Sequence, residues 1–586
     1  MAQRGTAGIA AIGGFGRARG LDPATGLMLA VVLVCCAIIL SLLGAVLWLS
    51  FRFGGPGDPA AVYSLVNYID VFSDGFTYRV IANTLGFSGV TLIVALAFGL
   101  PAAWLVERTN LPGKPVLFTL MTAGLLIPGF AEAMGWLFLL HPRIGLLNTL
   151  VMSVFGWKQP LFDITTILGM GWVQGLNLAP VAFIMTAAVF RAMDPALEEA
   201  AEMAGANGPS VGRRITLRLA WPGILAAGIY IFTIGFAAFD VPAIIGWSNR
   251  VFTFSTYLLV QLSPTGGAPE YGRVAALSTV VIALGLTLSW WYSRLQMQGH
   301  RYGVVTGKAY RPRLLTLGWR SWIAWLFLGT YFVLSKLVPI LLLIWAALLP
   351  YFQLPTEAAF ASLSLTNFRG LPWSLALDGA WHTAILMVIV PSVTLAFCLA
   401  FSWIVLRTKI PRRAVFDTIA FLPHAVPNVV FGVGALLLAL FVVQKVIPLY
   451  GTIWILALIF VVARLSYGTR ITNNTLMQIH RDLEEAAFTA GVSPLMTIWR
   501  VVVPLLAPAL VYAWLWIALM CYRELTLAVL LTTRDNITLP VVVWSLASSG
   551  QMGKSAALVL VLLVVLAPLI ALYWLIARKR TALINS

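Results

Sequence analysis

Leu483-Glu484-Glu485-Ala486-Ala487-Phe488-Thr489-Ala490-Gly491 has a near copy earlier in the chain, Leu197-Glu198-Glu199-Ala200-Ala201-Glu202-Met203-Ala204-Gly205, at an offset of 286 residues. Both are runs of helix-forming residues. Each closes on a glycine, which enters left-handed backbone geometry at low cost and so ends or turns a helix. Asp482 and Glu485 have capping-box spacing at the start of the later copy. Asp194-Pro195 offers the earlier copy an N-cap and an N1 proline. The pattern predicts two short helices in a helix-turn arrangement, once in each part of the chain. Such acidic helices belong in water, yet nearly everything around them is apolar.

Of the 586 residues, 60% are hydrophobic and 10% are charged. A soluble domain carries about 25% charged residues, and a bilayer-spanning helix needs about 20 apolar ones. Apolar runs predict twelve spans, at about 27–51, 80–106, 115–140, 164–190, 221–246, 274–294, 322–349, 382–406, 415–443, 452–468, 504–531 and 555–577. The first is too long for a signal-peptide core and lacks a small-residue cleavage site, so it reads as a retained span. Cys35, Cys36, Cys398 and Cys521 all lie in spans without ligand spacing, as small packing residues.

Lys and Arg number 38 against 21 Asp and Glu. A basic balance of this size can signal nucleic acid. Here most of the bases fall in the N-tail, the loops after even-numbered spans and the C-tail (Arg578, Lys579, Arg580), which is the pattern that fixes topology. Both termini are therefore expected in the cytoplasm, and no nucleic-acid partner is expected. Arg294, Arg301, Lys308, Arg311, Arg313 and Arg320 mark a linker midway along the chain.

The two parts flanking that linker repeat each other. Trp104-Leu-Val-Glu-Arg108-Thr-Asn-Leu-Pro112 matches Trp403-Ile-Val-Leu-Arg407-Thr-Lys-Ile-Pro411 at an offset of 299. Arg214 with Arg500 and Pro222 with Pro508 keep the offset of 286. A parallel repeat of six spans predicts a pseudo-two-fold axis along the membrane normal, with a pathway between the halves. The expected division is an N-tail (1–26), a first half (27–297, core about 80–295), a linker (298–321), a second half (322–577, core about 380–577) and a C-tail (578–586).

Glu199-Ala-Ala-x-x-x-Gly205, nine residues and Ile215-x-Leu217 resembles the EAA loop of ABC importer permeases. Glu485-Ala-Ala-x-x-x-Gly491, nine residues and Val501-x-Val503-Pro504 is similar and keeps the family's proline, where the first copy has Arg218. The resemblance implies an all-α membrane protein of about twelve transmembrane helices, in two tandem six-helix type I importer permease halves. It implies coupling to ATPase subunits through 191–220 and 469–503, with Glu198, Glu199, Ala200, Ala201 and Gly205 in one loop. Glu484, Glu485, Ala486, Ala487 and Gly491 serve in the other. It also implies two copies of a separate ATPase, which bind ATP and magnesium, and a periplasmic substrate-binding protein. The chain itself would carry no cofactor and would not be an enzyme. Ser548-Ser-Gly-Gln-Met-Gly-Lys554-Ser555 imitates the end of a phosphate-binding loop but lacks its first glycine and a preceding strand.

Ionisable residues inside spans are costly and invite a functional reading. Glu132, Asp240 and Glu524 qualify as candidates for the substrate pathway. Asp240 and Glu524 hold nearly corresponding places after each EAA loop, where two facing acids would suit a cation. The opposing expectation is structural: Glu524 neutralised by Arg523 or by a base on another span, and Asp240 capping a broken helix before Pro242. Pro128, Pro180, Pro391, Pro423 and Pro427 predict kinked or interrupted spans, with Pro128 and Pro423 at similar places in the halves. His382 and His424 read as polar packing contacts. No catalytic triad and no metal-ligand cluster is apparent.

The fused layout, with Leu422-Pro-His-Ala-Val-Pro-Asn428 and Arg523-Glu-Leu-Thr-Leu-Ala-Val-Leu-Leu531, resembles the iron(III)-type permease family. Iron(III) is the substrate that resemblance implies. Relatives of the same fold that move thiamine, polyamines, aminoethylphosphonate, sulfate or molybdate supply the alternatives. A twelve-span secondary transporter is the rival from another class, and it would lack the two EAA loops.

Overall fold

The computed structural model describes residues 23–54, 60–125, 127–193, 196–205, 212–263, 269–299 and 314–585. The N-tail arginines, Asp194-Pro195 and linker residues Arg301, Lys308, Arg311 and Arg313 lie outside it, as do the side chains of Glu199, Arg578, Lys579 and Arg580. Among the described residues, eleven helices are long and apolar enough to cross a membrane. Strand pairing among them is confined to an antiparallel clip of Arg52–Phe53 with Val62–Tyr63 and a bridge between Thr109 and Leu315.

The third span of each half is interrupted, as the prolines within it predict. In place of a continuous helix at 115–140 there are two, Lys114–Gly124 and Gly129–Leu140. In the second half, Ala414–Ala425 and Asn428–Phe441 divide 415–443 in the same way. The breaks carry Pro128 and Pro427, each with extended backbone immediately before the second helix (φ −61°, ψ 137° and φ −54°, ψ 136°). Proline disfavours helical geometry in the residue before it. Pro128 therefore corresponds to Pro427, as the offset of 299 requires. Pro423, paired with it on the sequence, sits inside the Ala414–Ala425 helix. Pro180 and Pro391 lie within unbroken helices, Ile167–Ala192 and Trp373–Arg407.

The loops on the side remote from the EAA segments carry helices of their own. They include Leu146–Phe155, Phe254–Leu262 and Leu539–Ser548. The last two match. Phe254 N–H donates to Thr84 Oγ1 at 2.8 Å, and Leu539 N–H donates to Thr383 Oγ1 at 3.0 Å. The segment imitating a phosphate loop is a turn between helices Leu539–Ser548 and Met552–Asn585, with Gly550 at φ +81°.

The sequence halves are not the spatial halves. The first helix, Pro23–Ser50, packs on the last span of its own half and on the second and broken third spans of the other. The span Gly318–Leu348 does the reverse and lies on Gly129–Leu140 and Met552–Asn585. Equivalent glycines receive the two crossing helices. A Cβ on Gly135 would fall 2.4 Å from Pro339 Cα, and one on Gly434 would fall 2.5 Å from the Leu42 carbonyl oxygen. Tyr331 then donates from the crossing helix to the Leu176 carbonyl at 3.0 Å.

Between the second and fourth spans the halves use one contact written two ways. Gly99 faces Ala182 in the first half, while Cys398 faces Gly468 in the second. Small residues bring helix backbones together where lipid supplies no hydrophobic drive. All four cysteines are buried and unbonded.

Candidate functional site

The EAA segments form the short helices expected of them, Ala196–Met203 and Asp482–Thr489. Gly205 and Gly491 follow at φ +87° and +79°. Only glycine holds such left-handed geometry cheaply, and it turns the chain towards the next span. That span opens with a π-helical segment in both halves, Gly212–Thr216 and Ile498–Val502. The capping box expected at Asp482 is not formed. Arg481 is the N-cap residue and Asp482 the first helical one, paired with His480 at 3.0 Å. The cap expected from Asp194-Pro195 falls outside the described residues.

Each helix is fastened at its first glutamate. Arg108, at the end of Gly75–Arg108, pairs with Glu198 at 3.3 Å, and Thr216 donates to the same carboxylate at 2.7 Å. Arg407, at the end of Trp373–Arg407, pairs with Glu484 at 2.7 Å. It also donates to the Leu476 and Ile479 carbonyls at 3.1 and 2.8 Å, where the preceding span Ile453–Met477 ends. Three elements of the second half thus meet at one guanidinium. Burial pushes the Glu484 carboxyl above the ordinary range, and Arg407 beside it pulls the other way. Beyond the tie, Glu485, Ala200, Ala486, Met203 and Phe488 are exposed, while Ala201 and Ala487 are half-buried. Each anchored helix thus leaves a partly apolar ridge exposed.

Two of the three membrane acids are held in buried ion pairs. Glu132, in the first turn of Gly129–Leu140, forms a buried ion pair with Lys336, which arrives on the crossing helix of the other half. Glu524 forms one with Arg464, and its second oxygen accepts the Leu527 N–H at 3.2 Å. Asp240 lies beside Arg523, Glu524 and the Thr526 hydroxyl. Asp240 and Glu524 are thus brought together as expected, but not as two free carboxylates. Arg523 donates to the Leu125 carbonyl in the break of the first half's third span. Gly129 leaves room beside it: a Cβ there would meet Asn177 Nδ2 at 2.7 Å and Asp240 Oδ2 at 3.4 Å.

Burying a charge alone is prohibitive, and pairing offsets most of that cost. Two of the cluster's acids are paired in this way, and Arg523 ties it to the break in the first half's third span. Sequence reasoning missed Lys336 and Arg464. Both were visible as bases inside spans, the same signal that flagged the acids. The histidines are packing contacts: His382 Nδ1 meets the Ile537 carbonyl at 2.9 Å, and His424 stacks on Tyr230 of the other half at 5.0 Å.

Residues 95–297 and 395–582 match the family described as binding-protein-dependent transport system inner membrane component, once in each half. The chain is 26% identical over 528 residues to the ferric transport system permease protein FbpB of Actinobacillus pleuropneumoniae, covering 87% of this chain and 73% of the relative. It is 23% identical over 490 residues to the Fe(3+)-transport system permease protein FbpB 2 of Haemophilus influenzae, covering 83% and 87%. A putative 2-aminoethylphosphonate transport system permease protein PhnV of Salmonella paratyphi A is 27% identical over 228 residues, covering 37% of this chain and 85% of the relative. With two matched domains, duplicated anchored EAA helices and a charge-paired interface between the halves, the chain belongs to the family of binding-protein-dependent transport system inner membrane components, as a multi-pass inner-membrane permease of an ABC importer.

Proposed function

We propose that this permease forms the translocation pathway of an iron(III) importer and is driven by two copies of a separate ATPase subunit, one on each EAA helix. The observation that carries the coupling is the duplicated tie of Arg108 to Glu198 and Arg407 to Glu484, each followed by an exposed ridge. A helix held this way moves as one body with the end of the second span. ATP and magnesium belong to the partner subunits, and both termini lie with the EAA helices in the cytoplasm. A periplasmic binding protein delivers cargo to the opposite face. Iron as cargo is supported by the similarity to the two ferric permeases across most of the chain.

Asp240, Glu524 and Glu132 act in the pathway as charge-paired contacts that exchange partners when the halves separate. Each conformational step is then a difference in stability between two arrangements. Three bases beside three acids equally suit an anionic group, which favours 2-aminoethylphosphonate as the second reading. Reconstitution in liposomes with the ATPase and binding protein tests both. ATP-dependent uptake of ferric iron, lost when the ATPase is left out, is the expected result. Uptake that proceeds without the ATPase overturns the coupling, and uptake of the phosphonate in place of iron overturns the substrate.

A further inference from the structure

At the membrane face remote from the EAA helices, the two last spans begin alike. Gly272 lies under Asn67 and Gly553 under Asn367, so that an added Cβ would meet the amide nitrogen at 2.6 and 2.7 Å. Both asparagines donate to carbonyls at the end of the first helix of their half, of Ser50 and Arg52 in one case and Ala347 and Leu349 in the other. The next residue in each span is a base, Arg273 or Lys554. Arg273 is neutralised by Asp74 and, at 3.2 Å, by Glu270. The offset of 299 that aligns Arg108 with Arg407 puts Trp373 in the place of Asp74, and Gln551 stands where Glu270 does. Lys554 keeps the charge and loses both acids. Among the described residues it makes no ion pair.

An apolar groove of about 450 Å³ is lined by Leu558, one turn further along the same helix. A Cβ on Gly370 would lie 3.3 Å from Lys554 Cε, and Trp373, three residues on, is part of the groove's lining. Ala380, Ala384 and Trp514 line it as well. Its lining is apolar apart from the indole and phenol tips, and it opens on the outer surface of the bundle, where Leu377 and Val565 are exposed. Hydrocarbon meets such a surface in a bilayer.

We propose that Lys554 and this groove bind one anionic phospholipid. Its acyl chain lies over Ala380 and Ala384, and its headgroup takes the position that the Asp74 carboxylate holds in the first half. A Lys near an anionic lipid headgroup favours it by an amount equivalent to roughly five-fold in affinity. The apolar lining holds the chain whatever the headgroup.

Native mass spectrometry of the full chain in mild detergent, with phosphatidylglycerol and phosphatidylcholine of matched acyl chains, tests this. One retained phosphatidylglycerol per chain is expected, preferred by roughly five-fold. Lys554→Gln removes the preference. Trp373→Asp, which rebuilds the ion pair of the first half, also removes it, while Arg273→Gln leaves it intact. Ala380→Trp fills the groove and loses both lipids; Ala384→Phe replaces it if that protein does not fold. Equal retention of the two lipids by the unaltered chain overturns the proposal, as does undiminished phosphatidylglycerol binding after Lys554→Gln.

Discussion

Lys336 crosses from the first helix of the second half to pair with Glu132 in the broken span of the first, and both side chains are buried. Lys336→Ala leaves Glu132 without its cation and should cost about 3–5 kcal/mol. Lys336→Met with Glu132→Gln should recover most of it. Thermal unfolding of the purified protein in detergent reads both, and a double variant no better than the single one would show that the pair does not govern the site.

Arg407→Gln should uncouple the transporter, leaving ATP hydrolysis by the associated ATPase while reducing transport at least ten-fold. Arg108→Gln should do less, since Glu198 is 19% exposed against 6% for Glu484 and keeps its bond from Thr216.

The pH dependence of that variant has a definite sign. Burial raises the Glu484 carboxyl in the folded protein, so its proton is held more tightly folded than unfolded. Its contribution is therefore fully present below the unfolded value and lost as pH rises through the folded one. Without Arg407 the opposing pull disappears and the penalty at neutral pH grows. The Arg407→Gln defect should shrink as pH falls into the carboxylate range, and Glu484→Gln should be milder than Arg407→Gln at pH 7. Stability measured against pH for the two variants decides it; parallel profiles would refute the assignment.

Gly468→Ala places a Cβ 2.5 Å from Cys398 Sγ and should destabilise by about 1–3 kcal/mol. Adding Cys398→Gly converts the contact to the arrangement that Gly99 and Ala182 already use, and unfolding temperature should return towards that of the unaltered protein.

Gly491→Ala imposes a side chain at φ +79°, where a Cβ costs about 1–2 kcal/mol. Space is not the obstacle, since no atom lies within 4 Å of the added carbon. The expected result is weaker coupling of ATP hydrolysis to transport with the overall unfolding temperature nearly unchanged.

Much of this architecture is legible in the residue order. The offsets of 299 and 286 that align the motifs also align Arg108 with Arg407 and Glu198 with Glu484, the two ends of each tie. The sequence names all four residues without joining them, because a contact between a span end and a later loop has no local signature. The same offset points from Pro128 to Pro427, and neighbouring prolines in Leu-Pro-His-Ala-Val-Pro obscured it. The partners of Glu132 and Glu524 were hidden for a different reason. Lys336 and Arg464 each lie on another span, and hydrophobic patterning in lipid does not reveal which helices touch. The crossing of the first helices is unreadable on the same ground, since a helix apolar on every side names no neighbour.

That crossing sets a schedule for biogenesis. Pro23–Ser50 leaves the ribosome long before Gly434 and the rest of its seat in Asn428–Phe441 have been made. It can meet the last span of its own half, Tyr271–Gly299, first, but its seat stays incomplete until some four hundred residues beyond it have been synthesised. Late in synthesis it slots against its distant neighbour, and Gly318–Leu348 meets the already inserted Gly135. Severing the chain within the linker should therefore yield two fragments that accumulate only when produced together.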